Sequence, residues 1–244
     1  MKKDGCNMVG NMYKDVVTWN PLAGRCKHEC VYCSTHTLRK LYPNCNSKYS
    51  GEYRLVEHEM KKSIGKNKTI FVCSQNDLFD FFVPDSMIRK VLERINNTDN
   101  VYMLQTKNPY RYFKFLNEIN PNTWLGTTIE SNIEYPEYSK APTILERVEA
   151  ISQIETHKKY VTIEPILDFD LYKFTNLIYD INPDKVYIGA DSKKNWLKEP
   201  TEQKIKELIK NLKSININVE LKENLYRIIK ERDLNDGEKD SIKR

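Results

Sequence analysis

The residues best suited to chemistry lie in one short run, Cys26-Lys27-His28-Glu29-Cys30-Val31-Tyr32-Cys33, a C-x3-C-x2-C arrangement. Thiolates are the usual ligands of iron–sulfur clusters, and three on one loop can hold three irons of a cubane. A 4Fe-4S cluster normally takes four cysteines, so such a set leaves one iron open to an outside ligand, such as the amine and carboxylate of an amino acid. The same thiols with His28 or His36 make a Cys3His zinc set, although the paired C-x2-C knuckles common in such sites are missing. As lone histidines, His28 and His36 are read as surface or capping residues.

These residues need elements to position them. Seven runs rich in Val, Ile, Tyr and Thr read as buried strands: 15–19, 69–73, 101–106, 124–129, 160–163, 185–189 and 217–221. Between them lie segments of helical spacing, such as Met87, Ile88, Val91, Leu92 and Ile95, or Ile205, Leu208, Ile209 and Leu212. Pro84-Asp85-Ser86, Asn108-Pro109 and Glu199-Pro200-Thr201 mark the starts of helices from Met87, Tyr110 and Glu202. Strands alternating with helices imply parallel pairing, in a doubly wound sheet or a full or partial (β/α) barrel. In either case ligands bind at the C-terminal ends of the strands. Residues 1–230 read as one domain, followed by a polar tail over 231–244.

Composition narrows the possibilities. No apolar run approaches the roughly 20 residues of a membrane span, and Met1–Gly10 lacks the apolar stretch of a secretory signal, so the chain is expected to be cytoplasmic with no membrane partner. Its thiols are therefore expected to be reduced, with Cys73 a small core residue and Cys6 and Cys45 in polar loops. With eight glycines and no G-x-G-x-x-G or Walker-type segment, ordinary phosphate-loop nucleotide binding is disfavoured. The net charge of +5 and pI near 8.7 lean weakly toward an anionic partner. Phe79, Phe81 and Phe82 with Val83 read as core or lid packing, with base stacking as the alternative.

The cysteine run resembles the signature of radical S-adenosylmethionine (SAM) enzymes, including the aromatic Tyr32 before the last cysteine, which in that superfamily packs beside the SAM adenine. A second resemblance runs from Thr18 to about Asn224, to a phage-associated three-Cys-motif radical-SAM-like family and, more distantly, to spore photoproduct lyase. It is carried by Thr18-Trp19-Asn20-Pro21 with Gly24, by the segments 71–79, 104–107 and 124–130, and by Thr162-Ile163-Glu164-Pro165. The compact spacing of Cys26 and Cys30 matches the wider superfamily and departs from the longer gap of the phage-associated family.

The resemblance implies an α/β fold, a partial (β/α)6-type TIM barrel of parallel strands with outer helices. It implies a 4Fe-4S cluster on Cys26, Cys30 and Cys33 and SAM as cofactor. Ser74, Lys107 and Thr128 fall at SAM-contacting positions, the Lys107 ammonium suiting the methionine carboxylate. Asn76, Asp77, Glu130 and Glu164 also end apolar runs, where they would ring the ligand; Asp77 reads alternatively as a helix cap and Glu164-Pro165 as a turn pair. The implied activity is reductive cleavage of SAM to a 5′-deoxyadenosyl radical and hydrogen abstraction from a substrate, with a flavodoxin or ferredoxin as electron donor. A nucleic-acid base or nucleotide, in DNA modification or repair, is the leading substrate. Peptide or small-molecule modification is the rival enzyme reading, and a zinc-stabilised nucleic-acid-binding module the non-enzymatic one.

Overall fold

The computed structural model describes residues 13, 15–193 and 195–230. Met1–Gly10 with Cys6, and the predicted polar tail over 231–244, lie outside the described residues. The strands are β1 (Val17–Trp19), β2 (Leu22–Ala23), β3 (Arg54–Leu55), β4 (Thr69–Val72), β5 (Val101–Thr106), β6 (Trp124–Thr128), β7 (Lys159–Ile163), β8 (Lys185–Ile188) and β9 (Val219–Leu221). The helices are α1 (Ser34–Leu41), α2 (Pro43–Lys48), α3 (Glu57–Lys61), α4 (Asp85–Asn96), α5 (Ile144–Ser152), α6 (Leu171–Ile181) and α7 (Glu202–Ser214).

All seven predicted strand runs join one parallel sheet in the order β1-β4-β5-β6-β7-β8-β9, while β2 and β3 form a small antiparallel pair. The inner strands β4 to β8 are largely buried on both faces, as parallel strands covered on two sides must be, whereas the edge strands β1 and β9 are partly open. Alternate residues supply two separate cores. Ile70, Val72, Tyr102, Leu104, Val161, Val186 and Ile188 face the helices, meeting Ile88, Val91 and Leu92 of α4 and Ile205 and Leu208 of α7 in the main core. Phe71, Met103, Tyr160 and Tyr187 face the other way, around Tyr13.

That inner cluster reveals the curvature. The Tyr13 ring lies 5.2 Å from Phe71 on β4 and 4.4 Å from Tyr187 on β8. In a flat sheet four strand spacings would separate those rings by about 19 Å. The sheet therefore curls into a half-barrel with helices outside, an α/β partial barrel of seven strands. Gly126 permits the curl locally: a Cβ there would stand 2.2 Å from the ring of Tyr160, its register partner on β7.

Two local expectations change. The helix expected from Tyr110 is a 3-10 segment, Pro109–Lys114, drawn tight because Tyr112 turns into the core and its hydroxyl donates to the Leu104 and Gly126 carbonyls, both at 3.0 Å. Cys45 lies buried in α2 and is disulfide-bonded, where a reduced thiol in a polar loop was expected.

Candidate active site

The cysteine loop leaves the sheet at the C-terminal end of β1. Gly24 opens it at φ 108°, with the Glu52 carbonyl 2.6 Å from where a Cβ would stand, so a glycine is required there. The loop is braced from several sides. Ser74 Oγ donates to Asn20 Oδ1 at 3.1 Å and Asn76 Nδ2 to the Gly24 carbonyl at 3.0 Å. Val31 N donates to the Tyr138 carbonyl and Lys140 N to the His28 carbonyl, at 2.9 and 2.7 Å. Cys33 closes the loop as the N-cap residue of α1.

The thiols face polar neighbours in a dry setting. Cys30 Sγ and Ser139 Oγ share a hydrogen bond at 3.1 Å, and Cys26 Sγ lies 3.7 Å from Asp80 Oδ2. Burial pushes both thiols up; Asp77 and Asp80 push Cys26 further, whereas the Lys107 ammonium and Ser139 partly offset the effect at Cys30. Neutral buried thiols of this kind lose their protons when a metal binds them. The donor set thus suits a metal cluster.

Asp77 and Asp80, both after β4, are the struts beneath the loop. One oxygen of Asp77 accepts from His28 Nε2, Thr106 Oγ1 and Lys107 N, each at 2.9 Å, and the other accepts from Phe79 N. Burial alone would raise the Asp77 carboxyl, but these bonds and the His28 ring hold it below the usual range. His28, expected at the surface, is buried because it is the partner of Asp77. Asp80 accepts from Lys27 N at 2.8 Å and Tyr53 hydroxyl at 2.6 Å. Among the described residues, Cys26, His28 and Asp80 place ligand atoms within 4.8 Å of one another. The three cysteines are not such a group, whereas thiolates on one tetrahedral zinc stand about 3.8 Å apart.

Above the struts sits a charged cluster. Lys107 follows β5, and Glu130 lies two residues beyond β6. Tyr32, from inside the cysteine motif, donates to Glu130 Oε1 at 2.6 Å; the Lys107 ammonium donates to the same oxygen and to the Tyr32 hydroxyl, the latter at 3.0 Å. Arg147 of α5 donates to Glu130 Oε2 at 2.8 Å and to the Thr128 carbonyl. Burial by itself raises the Glu130 carboxyl, but Arg147 and Lys107 outweigh it and hold the group well below the carboxylate range. Burial and the Glu130 charge push the Tyr32 phenol far up.

The residues named from sequence thus separate. Tyr32, Lys107 and Glu130 meet directly, and Asp77 joins them through the Lys107 backbone. Thr128 turns to the interior, its Oγ1 accepting from Gln105 Nε2 at 2.9 Å. Ser74 and Asn76 brace the loop's approach. Glu164 lies on another part of the rim, accepting from Lys222 and, at 2.6 Å, from Asn224. Arg147 was not identified from sequence, yet it carries a signal: it falls on the buried face of α5 with Ile144, Val148 and Ile151, where helical spacing calls for an apolar side chain. Phe79 and Val83 are core, but Phe81 and Phe82 are 76% and 63% exposed.

Residues 13–209 match the family described as "Protein of unknown function (DUF5131)". The chain belongs to this family. No curated protein matches it. Among solved structures it is similar to spore photoproduct lyase with bound AdoMet and dinucleoside spore photoproduct, at 13% identity and a TM-score of 0.52, over 80% of this chain and 60% of that one. A second structure of the lyase gives 11% identity and a TM-score of 0.60, over 84% and 75% of the two chains. At such identities the likeness is one of fold, and this chain spans 60% of the length of the ligand-bound lyase. No described helix is long and apolar enough to cross a membrane.

Proposed function

We propose that this protein is a radical SAM enzyme acting on a nucleic-acid base or nucleotide. The observation that carries the reading is the hydrogen bonding of Tyr32, set between Cys30 and Cys33, to Lys107 and Glu130 at the strand ends. One site therefore joins a three-thiol loop to an ammonium group, which suits a ligand with an amino-acid end. Cys26, Cys30 and Cys33 would hold a 4Fe-4S cluster, whose chemistry when bound is one-electron cleavage of SAM to methionine and a hydrogen-abstracting 5′-deoxyadenosyl radical.

The chain's own residues bind and orient. Lys107 offers its ammonium to the methionine carboxylate, and Tyr32 supplies an aromatic face for the adenine. Glu130 keeps Tyr32 and Lys107 in place, and Asp77 and Asp80 fix the loop from below. The half-barrel interior, floored by Tyr160 and Tyr187, excludes water from the reacting end. The nucleotide substrate is supported by the dinucleoside ligand of the lyase that shares this fold, and by the basic pI of 8.7. A small redox protein such as flavodoxin or ferredoxin would deliver the electron.

The test is anaerobic reconstitution with iron and sulfide, with Cys30→Ala as control. The expected result is about four irons per chain and 5′-deoxyadenosine formed from SAM under strong reductant, both reduced or lost in the variant. Stoichiometric zinc with no deoxyadenosine would overturn the proposal and favour the nucleic-acid-binding module.

A further inference from the structure

Charge balance around Glu130 has a consequence for ligand selection. The cluster contains one carboxylate and two cations, Glu130, Arg147 and Lys107, in a largely dry setting. Their exposures differ: the Glu130 and Arg147 side chains are 4% and 6% exposed, and Lys107 is 13% exposed. An ammonium has three N–H donors. Two of those of Lys107 go to Glu130 and Tyr32, and the third has no acceptor among the described residues. Glu130 is the one carboxylate in direct contact with both cations among the described residues, with Glu134 acting on Arg147 from further away, so the contacting groups carry an excess of positive charge whose most open member is Lys107.

We infer that Arg147 is a positioning residue for ligand selection: by taking Oε2 of Glu130 it leaves Lys107 with excess charge and an open N–H, so that this rim of the barrel prefers a ligand bearing a carboxylate. The inference rests on the SAM reading above and extends it to a residue on an outer helix. Arg147 does not touch the ligand. Its guanidinium acts on Glu130 and on the Thr128 carbonyl, the latter fixing the height at which β6 ends. Without it, Glu130 and Lys107 form a neutral pair, and an incoming carboxylate has to compete with Glu130 for the ammonium. A lysine at position 147 keeps the charge count, and because one nitrogen of the arginine, Nη1, makes both the Thr128 and the Glu130 contact, a single ammonium can stand in for it.

The experiment compares equilibrium binding of SAM and of its decarboxylated analogue to the reconstituted protein, by dialysis under anaerobic conditions. Wild type should prefer SAM. Arg147→Met should weaken SAM by on the order of tenfold or more while moving the decarboxylated analogue by no more than about twofold, since only the carboxylate competes with Glu130. Arg147→Lys should retain most of the preference. Arg147→Met with Glu130→Gln removes one charge of each sign, leaves Lys107 without an anionic partner, and should restore the preference. This double variant decides the matter if the single one does not fold. Equal weakening of both ligands by Arg147→Met, or a double variant without the preference, would overturn the inference while SAM binding by wild type stands. Failure of wild type to bind either ligand would overturn the underlying SAM reading as well.

Discussion

Two stretches of the same strand-end rim are built from similar groups and reach opposite electrostatic outcomes. Beside the cysteine loop, Glu130 is shared by Lys107 and Arg147, and one N–H of Lys107 has no acceptor among the described residues. At the ends of β7 to β9, Glu164 is matched, among the described residues, by Lys222, while Asn224 donates to Glu164 Oε1 and to the Ala190 carbonyl. Lys222 also lies 4.9 Å over the Tyr13 ring, which covers its charge with an aromatic face. The first arrangement sets one carboxylate between two cations; the second pairs one carboxylate with one ammonium. One additional buried cation accounts for the difference, and it comes from a helix outside the barrel.

Replacing the two carboxylates should show the largest contrast. Glu130→Gln leaves two cations around a neutral amide and should cost about 3–5 kcal/mol at neutral pH, as loss of one partner of a buried ion pair does. Glu164→Gln keeps an acceptor for Asn224 and removes a single pairing, and should cost roughly 1–2 kcal/mol. Urea unfolding of the two variants measures this; equal losses would break the contrast.

Glu130 should also make stability depend on pH. Glu130 has a folded-state pKa below its unfolded one, so its contribution is fully present above the unfolded value of about 4.3 and is lost as pH falls through the folded value. The stability gap between wild type and Glu130→Gln should therefore shrink below about pH 4. A gap that widens on acidification would mean the sign of the shift is wrong.

The two lysines test the surplus charge directly. Lys107→Met should weaken SAM roughly 10- to 100-fold, the range of a charge-assisted hydrogen bond of about 1.5–3 kcal/mol. Lys222→Met should change it by less than about threefold, since that ammonium is already engaged with Glu164. A larger effect at Lys222 would move the ligand's carboxylate to the other side of the rim.

Smaller effects sharpen the picture. Gly189→Ala would bring a Cβ to 2.8 Å from Glu164 Oε1 and 2.9 Å from Asn224 Oδ1. It should lower stability by about 1–2 kcal/mol, because those side chains must shift, and leave SAM affinity unchanged. Tyr32→Phe removes one hydroxyl bridging Glu130 and Lys107 but keeps the ring. It should cost about 1 kcal/mol, seen as a few-fold loss of SAM affinity.

Secondary structure was readable in the chain because it is written locally. All seven strand runs appear, and 101–106 has the same limits in both readings, since a short apolar segment between turn residues has few alternatives to a buried strand. Helix starts at Pro84 and Pro200-Thr201 were readable for the same reason: capping and the fixed φ of proline act over three or four residues. The cysteine spacing likewise confines three ligands to one loop before any folding is considered.

What remained hidden depends on neighbours distant in sequence. Asn108-Pro109 looks like a helix start, and only the pull of Tyr112 into the barrel wall, toward Leu104 and Gly126, makes the segment a 3-10 turn. His28 looks like a surface histidine until Asp77, 49 residues on, is found beside it. Ser74, Asn76 and Glu164 share with Lys107 a place at strand ends, yet the first two brace the loop and the third pairs with Lys222. Which way a strand-end side chain turns depends on the curl of the sheet and on the residues the next strand presents. Arg147 is the clearest instance: on the buried face of α5 it is the one charged residue among apolar ones, and its role arises because the helix packs beside Glu130, just beyond β6, with a second cation at hand. Types and spacings determine which groups can do chemistry; the packing of distant segments decides the charge each is left with, because electrostatic balance in a dry site depends on every neighbour within a few ångströms.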